Sequence, residues 1–313
     1  MKKKIILAAG TGFLGQCIIK HLANEYELVV LTRNPDKKNY PLPLVNCRLI
    51  KWDGKKFGKW CEELEGAYAV INLAGKNVDC RYNEKNKKEI FDSRTNATSV
   101  IGKAINNCKT PPEIWINAAS ATIYRYAEDR PMDELTGEIG EGFSVEVCKK
   151  WEATFNEIEN PKTQKIILRI AMVLGNEGGV LPVLKRLVKF GLGGKHGSGK
   201  QYMSWIHEYD FVKCIQFILE NKEITGVYNV AAPNPLPDKD FMIAMRYALK
   251  IKIGLPATKW MLEAGAVFLR TETELILKSR RVIPTKLLNA GFKFKFEKVT
   301  DAINDLLKPT RTN

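Results

Sequence analysis

Residues 4–15 read Lys4-Ile5-Ile6-Leu7-Ala8-Ala9-Gly10-Thr11-Gly12-Phe13-Leu14-Gly15. A short apolar run leads straight into three closely spaced glycines, and from Phe13 to Ala23 apolar residues recur at helical spacing. That order predicts a buried strand, a tight turn and a helix. A turn without side-chain bulk lets the backbone approach a pyrophosphate, and the first amides of the helix and its dipole then face the anion. The expectation is a nicotinamide dinucleotide with its phosphates on Gly10, Thr11, Gly12, Phe13, Leu14 and Gly15. The plain alternative is a tight strand-to-helix turn that holds no ligand.

Further along the chain the same alternation repeats. Glu27 to Thr32, Ala69 to Ala74, Glu113 to Ala118 and Gln164 to Arg169 read as strands, and Gly226 to Val230 as a strand that returns to the sheet. Glu84 to Asn107 reads as a long helix stopped before Pro111-Pro112. Strands alternating with helices imply right-handed crossovers and a parallel sheet. The fold class expected is therefore α/β: a Rossmann-type, doubly wound parallel sheet over residues 1–174 with a return segment at 208–232. Gly-rich turns at 175–179 and 191–199 mark a change of pattern. Residues 175–207 and 233–313 then form a smaller, partly interleaved substrate-side region.

Composition excludes several function classes. The net charge is +14, but the basic clusters at Lys2-Lys3-Lys4, Lys85 to Lys88 and Lys278-Ser279-Arg280-Arg281 do not interleave with aromatics as a nucleic-acid platform would. Seven cysteines, an odd number without a C-x-x-C, argue against a disulfide framework and for a reducing cytoplasm. The three histidines do not pair with cysteines at metal-ligand spacing, so no metal is expected. No apolar run spans a bilayer. The partner expected is a small-molecule substrate, not nucleic acid or a membrane; the oligomeric state stays open.

Two segments refine the cofactor. Thr32-Arg33-Asn34 ends the second strand. An acidic residue there would bond an adenosine ribose hydroxyl, whereas Arg33 can pair with a 2′-phosphate. NADP(H) is therefore expected over NAD(H). Leu73-Ala74-Gly75 ends a later strand with residues small enough for a cofactor to cross the sheet edge.

These residues resemble the short-chain dehydrogenase/reductase superfamily, in its extended, epimerase-like arm. The likeness narrows to an atypical NADP-binding, NAD-dependent epimerase/dehydratase-like branch of poorly defined activity. It rests on Ala74-Gly75-Lys76-Asn77, Asp92-Ser93-Arg94, Trp151-Glu152, Val173-Leu174-Gly175, Gly191-Leu192-Gly193-Gly194, Gly197-Ser198-Gly199, Ser204-Trp205-Ile206-His207, Ala232-Pro233-Asn234-Pro235 and Arg281-Val282-Ile283-Pro284. The resemblance implies cofactor contacts at Gly10 to Leu14, Thr32, Arg33, Leu73 and Ala74, with Glu89 and Arg94 also near the nucleotide. Its first glycine position falls on Ala9, which should be tolerated if its backbone stays in the β region.

The resemblance also implies catalysis by a serine, a tyrosine and a lysine four residues after it. The lysine lowers the tyrosine pKa so that the phenol exchanges a proton with substrate. Ser120 stands at the serine position. The tyrosine position falls on Ser144 and the lysine position on Cys148, while Lys149 is one residue out of phase. Three residues are substitutes to consider: Tyr124 near Ser120, Tyr126 in the same loop and His207 as a group titrating near neutral pH; Cys148 as a nucleophile has no identifiable base. The Gly193 to Gly199 segment could also offer amides to an anionic substrate group. Two readings follow: an NADP-dependent oxidoreductase or epimerase with an atypical site, acting on a small polar, sugar- or nucleotide-like compound through Ser120 with Tyr124 or His207, or a non-catalytic NADP(H)-binding sensor or scaffold.

Overall fold

The computed structural model describes residues 2–37, 47–258, 260–261, 263, 272 and 274–308. Strands β1 (Lys4–Ala8), β2 (Glu27–Thr32), β3 (Cys47–Lys51), β4 (Ala69–Asn72), β5 (Ile114–Ser120), β6 (Gln164–Ile170) and β10 (Gly226–Val230) form one sheet, ordered β3-β2-β1-β4-β5-β6-β10. Every neighbouring pair in it is parallel. The apolar runs explain this: Ile5, Ile6, Leu7 and Ala8 are all fully buried, so both faces of the strand are covered.

Alternate side chains enter two separate cores. Ile5 and Leu7 pack with α1 (Phe13–Leu22) and α5 (Glu208–Glu220), through Ile18, Leu22, Phe211 and Ile215. Ile6 and Ala8 pack on the other face with α2 (Glu84–Asn106) and α3 (Phe143–Asn156), through Ala97, Ile101 and Phe155. The sheet is thus wound on both faces, as its alternating pattern predicts. The chain runs outward from β1 through β2 to β3, then crosses back to β4 and runs the other way. That reversal opens a crevice at the carboxyl ends of β1 and β4, where open α/β sheets take their ligands.

A second body of chain lies beside this sheet. It contains β7 (Met172–Leu174) paired with β9 (Trp205–His207), and β8 (Tyr202–Met203) paired with β11 (Leu236–Pro237). Helices α4 (Leu181–Lys189), α6 (Asp238–Ala248) and α9 (Val299–Leu307) close a third core around Trp205, Phe241, Met245 and Ile303. Two shorter helices, α7 (Glu274–Leu277) and α8 (Thr285–Asn289), flank an extended segment at residues 278–284. Among the described residues, no helix is long and apolar enough to cross a membrane.

Ala9 does not meet the condition stated for it. Its φ is +58°, in the left-handed region rather than the β region. Its amide donates to the Leu31 carbonyl (2.9 Å) and its carbonyl accepts from the Gly12 amide (3.3 Å), so the turn itself imposes the angle.

Candidate functional site

The turn after β1 is built by steric exclusion. A Cβ on Gly10 would lie 2.6 Å from Leu7 Cδ2, and one on Gly15 would collide with the Gly10 carbonyl. These two glycines let the helix pack down on the strand. At Gly12 a Cβ would meet nothing closer than 3.7 Å, so that position faces open space. Gly12 caps α1 without any side-chain hydrogen bond, and no acidic residue sits in the first turn. The first amides of a helix have no acceptor within it. Those of Phe13 and Leu14 are therefore presented uncapped at the crevice, with the positive end of the helix dipole behind them. The Phe13 ring packs under the Gly175–Gly179 turn, and Gln16 braces the loop by donating to the Thr11 carbonyl (2.9 Å).

Neighbouring strand ends complete the crevice. Thr32 is buried, with its hydroxyl 3.5 Å from that of Thr11, and Arg33 next to it is exposed. Among the described residues no carboxylate pairs with Arg33. The end of β4 is set by a buried polar knot. Asn72 donates to Asn117 Oδ1 (2.7 Å) and Thr98 Oγ1 (3.2 Å), and its own oxygen accepts the Ala74 amide (3.0 Å). The Trp151 indole also donates to Thr98. Beyond Ala74, Gly75 is exposed and a Cβ there would touch the Arg94 guanidinium at 3.0 Å.

Glu89 and Arg94 meet at one residue although five positions separate them on α2. The Lys76 ammonium pairs with Glu89, and the Lys76 carbonyl accepts from Arg94 (3.2 Å). Arg94 also donates to the Ile90 carbonyl and lies over the Trp151 ring at 5.0 Å. Burial lowers its pKa, and among the described residues it has no carboxylate partner.

Ser120, the last residue of β5, accepts from the Thr122 amide (3.2 Å) and donates to the Thr122 hydroxyl (3.0 Å). Ser144 and Cys148 do occupy the adjoining face of α3. Ser144 donates to Glu274 Oε2 (3.0 Å), and burial pushes the Cys148 thiol up to about 12. A thiol so reluctant to ionise is no nucleophile at neutral pH, which removes that substitute. Lys149 pairs with Glu146 on the outer surface, consistent with its phase on the helix.

The other sequence candidates lie apart from Ser120. The Tyr124 phenol is buried on the far side of its loop. It accepts from Arg169 (3.0 Å) and donates to Asn229 Oδ1 (3.0 Å), Arg169 being held in turn by Glu152, and burial raises its pKa. These bonds anchor the loop and occupy the proton a catalyst would need. Tyr126 is an exposed loop residue bonded to Glu128. His207 caps α5 by accepting the Tyr209 amide (2.9 Å), stacks on Phe296 at 3.9 Å and faces Asp305 (3.4 Å). Burial lowers its pKa to about 4, so it does not titrate near neutrality. The amides of Gly194, Gly197 and Gly199 donate to the carbonyls of Leu255, Ala257 and His196. They are not free for an anion, and the Gly193–Gly199 segment is a structural turn.

Residues given no site role by the sequence reach Thr122, the residue Ser120 bonds, and Ser144 on the adjoining helix. Lys278 donates to the Thr122 carbonyl (3.3 Å), and Arg280 donates through Nε to the Thr122 hydroxyl (3.1 Å). Tyr82 packs against Phe143 at 4.8 Å, beside Ser144. The available signal was the run Lys278-Ser279-Arg280-Arg281, whose alternation puts residues 278 and 280 on one side of an extended chain.

The comparisons with known proteins agree with this architecture. A model of the "NAD dependent epimerase/dehydratase family" matches residues 5–231, and a domain of unknown function, DUF1731, matches residues 257–306. The epimerase family protein SDR39U1 homolog of Arabidopsis thaliana, described as chloroplastic, is 31% identical over 97% of this chain and 86% of its own length. Epimerase family protein YfhF of Bacillus subtilis is 30% identical over 98% of this chain and 99% of its own. The crystal structure of human epimerase family protein SDR39U1 (isoform 2) with NADPH superposes with a TM-score of 0.85 at 28% identity, over 97% of this chain and 98% of that one. From its seven-stranded sheet, its uncapped glycine turn and these matches, the chain belongs to the NAD dependent epimerase/dehydratase family, within the short-chain dehydrogenase/reductase type.

Proposed function

We propose that the chain binds NADP(H) across the carboxyl edge of its sheet and uses it to oxidise or reduce a small polar substrate held at Ser120. The observation that carries this reading is the uncapped start of α1, open at Gly12 and packed tight at Gly10 and Gly15. The human relative, whose structure was determined with NADPH, supports the choice of cofactor. So does the exposed Arg33, which can meet a 2′-phosphate with charge-assisted hydrogen bonds.

Bound there, the dinucleotide supplies or accepts a hydride. The chain's own residues do the rest. The Phe13 and Leu14 amides hold pyrophosphate, Leu73 and Ala74 give room at the end of β4, and Ser120 orients a substrate oxygen. Titration of protein fluorescence tests the reading. NADPH is expected to saturate at least tenfold more tightly than NADH, a gap of about 1.4 kcal/mol. Arg33→Asp is expected to remove that preference by weakening NADPH while sparing NADH. Equal affinities in the parent protein would overturn the preference for NADP(H).

One observation favours the second reading, an NADP(H)-binding sensor or scaffold without turnover. Ser144 and Cys148 stand where the family's tyrosine and lysine would be, and neither replaces them. Absorbance of NADPH with a panel of carbonyl compounds separates the two. An enzyme consumes NADPH at a rate that falls about 100-fold in Ser120→Ala, the scale of a lost positioning or proton-transfer group. A sensor binds NADPH and consumes none.

A further inference from the structure

Residues 181–200 and 241–258, both in the second body of chain, carry eight Lys or Arg and no Asp or Glu, so they supply eight of the chain's fourteen net positive charges. Among the described residues, they also hold seven of the fourteen large hydrophobic side chains left exposed. Basic charge and exposed apolar surface therefore coincide. Single exposed hydrophobics need no explanation, but a group of them rimmed by charge of one sign marks an interaction surface.

The two segments are stitched side by side. The Leu255 amide donates to the Gly191 carbonyl (2.8 Å), and its carbonyl accepts from the Gly194 amide (3.1 Å). Two residues on, the Ala257 amide donates to the Lys195 carbonyl (3.0 Å), and its carbonyl accepts from the Gly197 amide (2.8 Å). Glycines permit the approach. A Cβ on Gly194 would fall 2.4 Å from the Leu255 backbone, and one on Gly254 would fall 2.7 Å from both the Gly193 backbone and the Arg246 side chain. Arg246 of α6 locks the junction by donating to the Gly193 carbonyl (2.6 Å). The result is one tip beyond the ends of α4 and α6, fixed by backbone hydrogen bonds.

The side chains that this tip leaves outside are apolar. Phe190 is 76% exposed, Ile253 72% and Leu255 58%, and Leu192 is exposed beside them. Ile243 and Tyr247 stand four positions apart on α6 and share its exposed face. The flanking Lys189, Lys195, Lys250 and Lys252 are exposed too, and among the described residues no carboxylate pairs with them.

The chemistry of this surface selects its partner. A second copy would bring the same eight positive charges and be repelled. Nucleic acid would meet the lysines, but its bases stack on aromatic rings, whereas Leu192, Ile253 and Leu255 are aliphatic. A protein partner needs a hollow matched to each protruding side chain. The headgroup–acyl boundary of a bilayer takes protruding apolar chains of any shape and surrounds them with anionic groups. We propose that this tip docks on an anionic lipid surface, with Phe190, Leu192, Ile253 and Leu255 in that boundary and the four lysines at the headgroups. The chain then lies on the membrane without spanning it, in keeping with the lack of a long apolar helix among the described residues. The expectation of no membrane partner rested on the absence of a spanning run, and a tip assembled from two segments distant in the chain contains no such run.

Vesicle flotation with the whole chain tests this. Vesicles of phosphatidylcholine alone are compared with vesicles of equal parts phosphatidylserine and phosphatidylcholine. Binding to the anionic vesicles is expected to be tighter by about tenfold or more, and to weaken as salt is raised. Lys189→Gln with Lys252→Gln is expected to weaken it about tenfold and to reduce its salt dependence. Phe190→Ser with Leu255→Ser is expected to weaken it about tenfold and leave the salt dependence as it was. Melting temperatures report whether each pair is folded, and should the serine pair fail to fold, the lysine pair still decides. No binding to anionic vesicles, or binding undiminished in the lysine pair, would overturn the proposal. Binding to poly-glutamate or a DNA duplex without binding to vesicles would overturn it in favour of an acidic protein or nucleic acid. A dimer in analytical ultracentrifugation that the serine pair dissociates would overturn it in favour of a second copy.

Discussion

Ala9 holds a left-handed backbone angle with a side chain attached, between a buried strand and the phosphate turn. For an L-residue that conformation costs about 1–2 kcal/mol. Glycine would relieve it, but a glycine also gives the unfolded chain about 0.4–1 kcal/mol of extra freedom. Ala9→Gly is therefore expected to leave stability unchanged or raise it by up to about 1.6 kcal/mol, measured by chemical denaturation. A loss of stability would mean that the turn is not strained. At the same scale Tyr124 illustrates how one hydrogen-bond pair decides a role. A phenol fully engaged by Arg169 and Asn229 secures a loop, whatever its distance in sequence from Ser120.

Helix α5 begins at His207, which is both its cap and a buried base. Because Nδ1 accepts the Tyr209 amide, the remaining proton sits on Nε2 and faces Asp305. Desolvation holds the folded pKa near 4, below the ordinary value near 6.5. Between those values the unfolded chain binds the extra proton and the folded one does not. This contribution is complete above about pH 6.5 and is lost as the pH falls toward 4, to a total of at most about 3 kcal/mol. His207→Asn keeps an N-cap acceptor. It is expected to flatten the stability difference across that window, read as denaturation midpoints of the two proteins from pH 7 to pH 4.5. Buried carboxylates such as Glu208 and Asp210, whose pKa values burial raises, act with the opposite sign, so the comparison of parent and variant isolates the histidine.

For the molecule as a whole, the dinucleotide crevice and the Lys278–Arg280 segment join the sheet to the second body of chain. The segment bonds at once to the strand at Tyr202–Ser204 and to the loop at 127–132. A ligand that fills the crevice stabilises both. NADPH at 100 times its dissociation constant should add about 2.7 kcal/mol, a rise of roughly 5 °C in melting temperature for a chain of this size. Scanning calorimetry with NADPH, and with NADH at the same concentration, checks this. A shift confined to one of two resolved transitions would show that the two bodies unfold independently.

The sheet and its glycine turn were legible because they rest on short-range rules. An apolar run such as Ile5 to Ala8 buries both faces of a strand, and Gly10 and Gly15 meet neighbours within a few residues of their own positions. The short strands were not separated out, because β3 mixes Arg48 and Lys51 into its apolar residues and β7, β8, β9 and β11 have only two or three residues, too few to show a period. The surroundings of Thr122 were illegible for another reason. Thr122, Cys148 and the Glu274–Arg280 segment are far apart in sequence, and only long-range packing brings them together. Pattern in the chain determined the layers and the glycine turn at which the phosphates are proposed to bind. Whether Tyr124 or His207 could work as an acid, and where Lys278 and Arg280 point, was decided by tertiary burial and hydrogen bonding, since a side chain's proton affinity depends on what surrounds it.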